Sequence, residues 1–307
     1  MNTLSEFSLA GRHLSSNVVE KLNHVRADYQ LNRFKFIPGS EMAAIITDLG
    51  AQPEDVESLK TVSDSLFGDP TLPFRQSRNG RFVIDYSEKT ITRTCFQPFT
   101  LSAGEDFVRH DSEKVRYFRG IQDDLQANTA FQALLIFQAL LIEGMKIQPR
   151  RALDHESSRW VSTVFNLRTI TQADLVGEPA MEGVHTDGVE HTMTTFLNST
   201  NMSDDSARSE VHFMEQKTGI PWTETDQSLV AGYAQHKHVL DTLLIVDTER
   251  KHSVSSVHQV DQAKRATRDM LIFFTRRPTL PGHISHPYDS LEPHQEIPLT
   301  IRYPEAL

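Results

Sequence analysis

The sequence predicts a mainly β protein with flanking helices, a sandwich or barrel core approached through an N-terminal helical region. Two observations carry this prediction. From Trp160 onward, short β-branched and aromatic runs succeed one another across polar or glycine-containing connections. Ahead of them, residues 15–70 show helical spacing with recognisable start signals. Strands and helices do not alternate along the chain, which argues against a parallel α/β sheet.

The elements follow in order. Ser16 and Asn17 precede Val18, Val19 and Leu22, and Gln52-Pro53-Glu54-Asp55 places proline and acids where a helix starts. Arg81–Tyr86 and Thr90–Phe96 are two β-prone runs around a short polar turn, which predicts a hairpin. Residues 121–145 form a second helical zone, apolar nearly all round, as a helix buried against a sheet would be. Strands are then expected at 160–170, 190–198, 208–215, 239–246, 252–260 and 268–275. The simplest organisation is an N-terminal helical extension over 1–70 packed on one catalytic β unit over 71–307.

Composition narrows the function. The chain has 307 residues, 31 Lys and Arg against 41 Asp and Glu, and a net charge of -10. That balance disfavours a nucleic-acid binder, which needs clustered cations to neutralise phosphates. It still permits a small anionic ligand, for which one or two placed arginines suffice. Cys95 is the only cysteine, so no intrachain disulfide forms and a reducing compartment is favoured. The start MNTLSEFSLAGRH lacks the features of a secretory signal, and the apolar stretch 131–142 is too short to span a bilayer. The expectation is a cytoplasmic protein with no membrane association; oligomeric state is not legible.

The chemistry centres on His185-Thr186-Asp187. On an extended segment, residues i and i+2 project to one face, so imidazole and carboxylate can reach one ion. With a distant histidine they make the facial triad that leaves open positions on non-haem iron(II). Spacing alone decides little. With 14 His and 41 acids, roughly two His-x-acid spacings arise by chance, and two occur. The second, His294-Gln295-Glu296, has no later histidine to complete a triad. His185-Thr-Asp187, by contrast, runs into Gly188 just ahead of an expected strand. Downstream, His252 opens a β-branched strand and Arg268 opens the next. If those strands are antiparallel neighbours, both residues approach one cavity, and a metal beside a buried guanidinium suits a chelating dicarboxylate.

Plainer readings stand beside this one. His258 could replace His252 as ligand; His191, His212 and His283 read as ordinary core or surface histidines. Arg268 could simply pair with Asp269. His236-Lys237-His238 has the same-face spacing of a zinc pair, yet its polar surroundings favour a solvated loop. No HExxH helix, phosphate-cradling glycine loop or Gly-x-Ser-x-Gly elbow is present.

Glu182-Gly183-Val184-His185-Thr186-Asp187-Gly188 resembles the Glu-Gly-x-His-x-Asp-Gly signature of the bacterial 2-oxoglutarate/iron oxygenases that hydroxylate free L-amino acids, the isoleucine 4-hydroxylase-like family. Residues 240–247, His252-Ser-Val254 and Arg268-Asp269-Met270-Leu271 are similar to that family's distal strands, and Arg81-Phe82 and Phe96-Gln97-Pro98 match it loosely. The resemblance spans roughly residues 70–277. It implies a double-stranded β-helix (jelly-roll, cupin-like) core, iron(II) held by His185, Asp187 and His252, and Arg268 on the distal carboxylate of 2-oxoglutarate. It further implies O2 as oxidant and a free amino acid as the small-molecule substrate, hydroxylated as 2-oxoglutarate goes to succinate and CO2. Such a substrate needs a cation for its carboxylate. Arg168 is the candidate, with Arg78 and Arg81 behind it. The chain departs from the family in its longer helical N-terminus, an insertion-like stretch at 216–238 and a tail from Pro278. Two other classes stay open: a cupin-like metal-dependent hydrolase or isomerase using the same site without 2-oxoglutarate, and a non-catalytic β-sandwich binding module.

Overall fold

The structure, a computed structural model, describes residues 7–8, 14–95, 98–105 and 111–304. Phe96-Gln97 of the resemblance and most of the N-terminal segment lie outside the described residues. A short strand β1 (Phe7–Ser8) precedes helix α1 (Ser16–Asn32), whose N-terminus is capped by the Ser15 hydroxyl accepting from the Val18 amide. Val18, Leu22, Val25 and Tyr29 recur at helical spacing and are all buried. The helix stops at Arg33, left-handed at φ 67°, and turns directly into strand β2 (Phe34–Ile37). Helices α2 (Gly39–Asp48) and α3 (Pro53–Ser58) follow, the latter opening on Pro53 with Glu54 and Asp55 in its first turn.

Strands β3 (Phe67–Gly68), β4 (Arg75–Asp85) and β5 (Thr90–Arg93) include the expected hairpin, with β4 and β5 antiparallel. The second helical zone resolves into α4 (Asp123–Gln126) and α5 (Thr129–Ile142), and every residue of α5 from Ala130 to Ile142 is buried. The remaining strands are β6 (Arg159–Thr171), β7 (His191–Thr200), β8 (Arg208–His212), β9 (Val230–Gln235), β10 (Thr242–Val246), β11 (Lys251–Val254), β12 (Ala266–Arg276) and β13 (Thr300–Arg302). β2, β9 and β13 were not expected from the sequence, and β2 places part of the N-terminal region inside the sheet rather than on it.

These strands make two sheets. The large one has ten strands in the order β1-β13-β5-β4-β6-β12-β7-β10-β2, with β3 beside β4; the small one runs β11-β8-β9. Pairing is antiparallel throughout except between β1 and β13. The expectation that the strands of His252 and Arg268 are neighbours is corrected here: β11 pairs with β8 in the small sheet, while β12 lies between β6 and β7 in the large one.

Strand alternation divides the large sheet's apolar residues between two faces. Val164, Met193, Leu244, Leu271 and Phe273 join α1, α2 and α5 in the main core. Their sequence neighbours Phe165, Leu243, Ile245, Met270 and Ile272 point the other way, toward the small sheet. Burial on both faces is why the central strands read as continuous apolar runs. The space left between the two sheets is the cavity described next.

Candidate active site

His185 and Asp187 lie on the connection between β6 and β7, which is held in place by backbone pairing. The His185 amide donates to the His252 carbonyl at 3.0 Å and the His252 amide returns the bond at 2.9 Å, so the two histidines sit side by side. On the other side, the Val184 amide donates to the Ile220 carbonyl at 2.9 Å. Gly183 must be glycine there: its φ is +73°, and a Cβ would meet the Ile220 oxygen at 2.2 Å. The stretch at 216–238 therefore helps to support the motif, through Gly219 and Ile220.

The donor atoms converge. His185 Nε2 is 3.4 Å from Asp187 Oδ1, and His252 Nε2 is 3.5 Å from Asp187 Oδ2. All three residues offer ligand atoms within 4.8 Å of one another, the only such group of His, Cys and acids among the described residues. His185 Nδ1 donates to the Gly183 carbonyl at 2.8 Å, which leaves Nε2 with its lone pair facing the cluster. Thr192 Oγ1 donates to Asp187 Oδ2 at 2.8 Å and fixes the carboxylate.

Asp247, at the end of β10 and fully buried, accepts the Asp187 amide on both oxygens, at 2.9 and 2.8 Å, and the Val189 amide at 3.3 Å. Arg150 Nη2 lies 3.3 Å from the same carboxylate. Nothing in sequence spacing separates Asp247 from an ordinary turn acid; its role comes from the fold returning β10 beneath the His-x-Asp loop.

The electrostatics favour a cation. Burial alone would depress His185, but Glu182 and Asp187 outweigh it and lift its pKa to about 9. His252 moves the opposite way, down to about 4, because burial dominates over the attraction of Asp187. Asp187 stays below the usual carboxylate range against the cost of burial, held by both histidines and Thr192. Asp247 is pushed up by burial and by the like charge of Asp187. Two imidazoles and a carboxylate, one imidazole with its tautomer set and one keeping a buried Nδ1 without a partner, fit an iron(II) ion.

Arg268 faces this cluster across the cavity. Both sets of residues line one pocket, with Arg268, Met270, Ile272 and Phe274 forming a column along β12 and Ser209, His252 and Val254 on the small sheet opposite. Arg268 is 4% exposed, yet its Nε has no hydrogen-bond partner and no carboxylate forms an ion pair with it among the described residues. Burial lowers its pKa to about 10, so it remains charged at neutral pH. Among the described residues its side-chain hydrogen-bond contact is His236, whose Nδ1 lies 3.5 Å from Nη2. His236 is buried, not in a solvated loop, and burial beside Arg268 holds its pKa near 3, so it is neutral and its Nδ1 can accept.

The other sequence candidates fall elsewhere. Arg168 does not line the cavity: it forms a two-pronged pair with Asp269, Nε to Oδ1 at 2.6 Å and Nη2 to Oδ2 at 2.7 Å, and a second pair with Asp64. Asp269 therefore pairs with Arg168, its cross-strand neighbour on β6, and not with Arg268. Arg78 is spent on Asn166, Asp124 and the Val62 carbonyl, and Arg81 pairs with Asp289. His258 is exposed and outside the cavity; His191 bonds Tyr29 and His212 bonds Ser253. Besides Arg268, the arginines that line the cavity are Arg75 and Arg116, which the sequence did not single out.

Comparison with known proteins decides the class. Residues 60–274 match the model of the 2OG-Fe dioxygenase family. The chain belongs to that family. It is a 2-oxoglutarate- and Fe(II)-dependent dioxygenase, an enzyme that uses Fe(II), 2-oxoglutarate and O2, which sets aside the hydrolase, isomerase and binding-module readings. The bifunctional enzyme flvA of Aspergillus flavus is 46% identical over 277 residues, 90% of this chain. This chain spans only 34% of that relative's length. The structure of the Fe(II)/α-ketoglutarate-dependent dioxygenase TqaL is 44% identical, with a TM-score of 0.81 over 93% of this chain and 96% of that one. The structure of IDO from Bacillus thuringiensis shares the fold, at 13% identity and a TM-score of 0.61 over 83% of this chain and 99% of that one. No helix among the described residues is long and apolar enough to cross a membrane.

Proposed function

We propose that His185, Asp187 and His252 hold the Fe(II) and that Arg268, steadied by His236, takes the distal carboxylate of 2-oxoglutarate, on a double-stranded β-helix core. The observation that carries the assignment is the buried Arg268 guanidinium, without a carboxylate partner, facing the three-donor cluster across one cavity. A cation buried at that depth is costly unless an anion joins it. Bound iron, with 2-oxoglutarate and O2, supplies the oxidising power for hydroxylation of an unactivated C–H bond, and succinate and CO2 leave.

The protein's own part is placement. Thr192 and Asp247 orient Asp187; the Gly183 carbonyl orients His185; the paired backbones of His185 and His252 set their separation. The substrate is a free L-amino acid or close derivative with an apolar side chain. Phe99, Phe118, Phe165 and Phe274 pack edge to face or stacked, with ring centroids 5.0 Å apart for Phe118 and Phe165. They line the same cavity and give it an aromatic wall that excludes water from the reacting end. The helices of 1–70 and the β unit of 71–307 act as one catalytic unit, and the setting is cytoplasmic.

The test is succinate formation by anaerobically purified, Fe(II)-loaded protein in air with each of the twenty L-amino acids. Stimulation by one or a few, lost in His185→Ala and Arg268→Ala, supports the assignment. Iron binding without stimulation by any removes the free-amino-acid substrate; no iron binding removes the metal assignment.

A further inference from the structure

Not every charged group that lines the cavity has a part in the assignment above. Glu182 opens the motif that carries His185, its side chain is 9% exposed, and it lines the cavity with Oε1 3.6 Å from His185 Nε2. Its Oε2 is buried without a hydrogen-bond partner among the described residues. The other carboxylates of the lining are occupied. Asp187 belongs to the donor cluster, and Asp69 accepts from the amides of Thr71 and Leu72 on one oxygen and from Ser77 on the other. Glu182 is thus the lining carboxylate with an acceptor to offer a ligand. A buried carboxylate oxygen left unpaired costs free energy that a cationic donor recovers.

The partner has to be small, since the carboxylate sits beside the metal donors, and it has to bring an apolar body for the aromatic wall. Arg75 and Arg116 line the same cavity, Arg75 bonded to the Pro179 carbonyl and Arg116 paired with Asp111 and lying 4.9 Å from the Phe99 ring centroid, so they give that wall a positive character. We propose that Glu182 binds the ammonium group of the substrate beside the metal, so that the enzyme selects amines over otherwise identical neutral molecules. The inference rests on the amino-acid reading for its preferred ligand, but its substance is the amine, which a larger aminated substrate would share. Glu182 is three residues from His185 on a backbone fixed at Gly183, so the substrate ammonium is placed relative to the metal by the same segment that supplies a metal ligand.

The experiment compares wild type, Glu182→Gln and Glu182→Asp, each loaded with Fe(II) and 2-oxoglutarate without oxygen. Binding is read from the visible charge-transfer band of that complex. The probes are L-valine, L-leucine, L-isoleucine and L-phenylalanine, each against its 2-hydroxy acid, and leucyl dipeptides against their N-acetyl forms. Manganese(II) affinity, followed by paramagnetic resonance, reports the metal site separately. The expected result is that wild type prefers the amine of a matched pair and Glu182→Gln loses roughly 10- to 100-fold in affinity for it. The hydroxy or acetyl partner should bind the variant within about 3-fold of wild type, and manganese(II) affinity should change by a clearly smaller factor than amine affinity. Glu182→Asp should restore part of the preference. Glu182-dependent binding of the dipeptides but of no free amino acid would keep this inference and end the free-amino-acid reading. The inference is overturned if wild type shows no preference for the amine in either set, if Glu182→Gln keeps the preference, or if the variant loses manganese(II) affinity by the same factor as amine affinity, which would make Glu182 a metal ligand.

Discussion

Replacing Arg268 with methionine isolates the assignment of the co-substrate site. Methionine keeps the apolar stem and removes the charge, so the column of Met270, Ile272 and Phe274 on β12 stays packed. In the wild type, the guanidinium is buried with Nε unpaired and only a 3.5 Å contact to His236, so its donors are available to a carboxylate. A bidentate charge-assisted pair in such a setting contributes about 2–5 kcal/mol when one partner is truncated, because the other is left buried and unpaired. That corresponds to a loss of about 30- to several-thousand-fold in 2-oxoglutarate affinity. Folding stability should stay level or rise, since an uncompensated buried cation is removed. The assay is an anaerobic titration of the Fe(II) protein with 2-oxoglutarate, followed in the visible charge-transfer band, beside a urea denaturation. Affinity within 3-fold of wild type, with the fold intact, would refute the assignment of the distal carboxylate to Arg268.

Further outcomes follow from the same contacts. Arg168→Ala should leave substrate KM unchanged and cost about 3 kcal/mol of stability, because it strands the buried Asp269; a raised KM with normal denaturation would return Arg168 to the substrate site. Asp247→Asn keeps the shape but halves the acceptor capacity for the Asp187 and Val189 amides, so manganese(II) affinity should fall roughly 10- to 100-fold; unchanged affinity would show that the loop holds itself. In the metal-free protein, His185 is raised from 6.5 to about 9, so its stabilising proton is fully present below pH 6.5 and lost as pH rises through 9. Asp247, also raised, adds to the same trend, while a metal replaces the His185 proton. The thermal midpoint of the chelated protein should therefore drop from pH 6 to 9 and the gap to the manganese(II) form should widen; parallel curves would contradict this account.

Much of the site was legible because its residues lie at the starts of strands in a distinctive order. His185 and Asp187 need only an extended backbone to share a face, and that is what the pairing with His252 provides. The capped start of α1, Pro53 at the start of α3 and the all-round burial of α5 were readable for equally local reasons. The misses are non-local. β2 is a four-residue run, Phe34–Ile37, between two helices, and it becomes a strand only because β10 offers an edge. His236 reads as polar loop beside Lys237 and His238, and its burial depends on how the two sheets close. Arg168 was misplaced because its partner is set by cross-strand register between β6 and β12, which composition does not encode.

That register is also what makes the cavity chemically coherent. Along β12, Arg268, Met270, Ile272 and Phe274 face the cavity, while Leu271 and Phe273 face the helices and Asp269 meets Arg168. A slip of one residue would exchange the two sets, turning Asp269 toward the metal donors and Arg268 away. β12 would then present a carboxylate to the cavity in place of its guanidinium, with nothing on that strand to receive the far end of a dicarboxylate. The Arg168–Asp269 pair opposes that slip: on the opposite face of the same strand, it fixes the neighbour of Arg268 to β6 through two short bonds. Against β7 the ladder shifts once, between Asp269 and Met270, and resumes with Met270 opposite Phe196, both packed in the cavity-side cluster. The arginine expected as a substrate ligand thus supports the proposed co-substrate site at one remove, by holding the strand that presents Arg268.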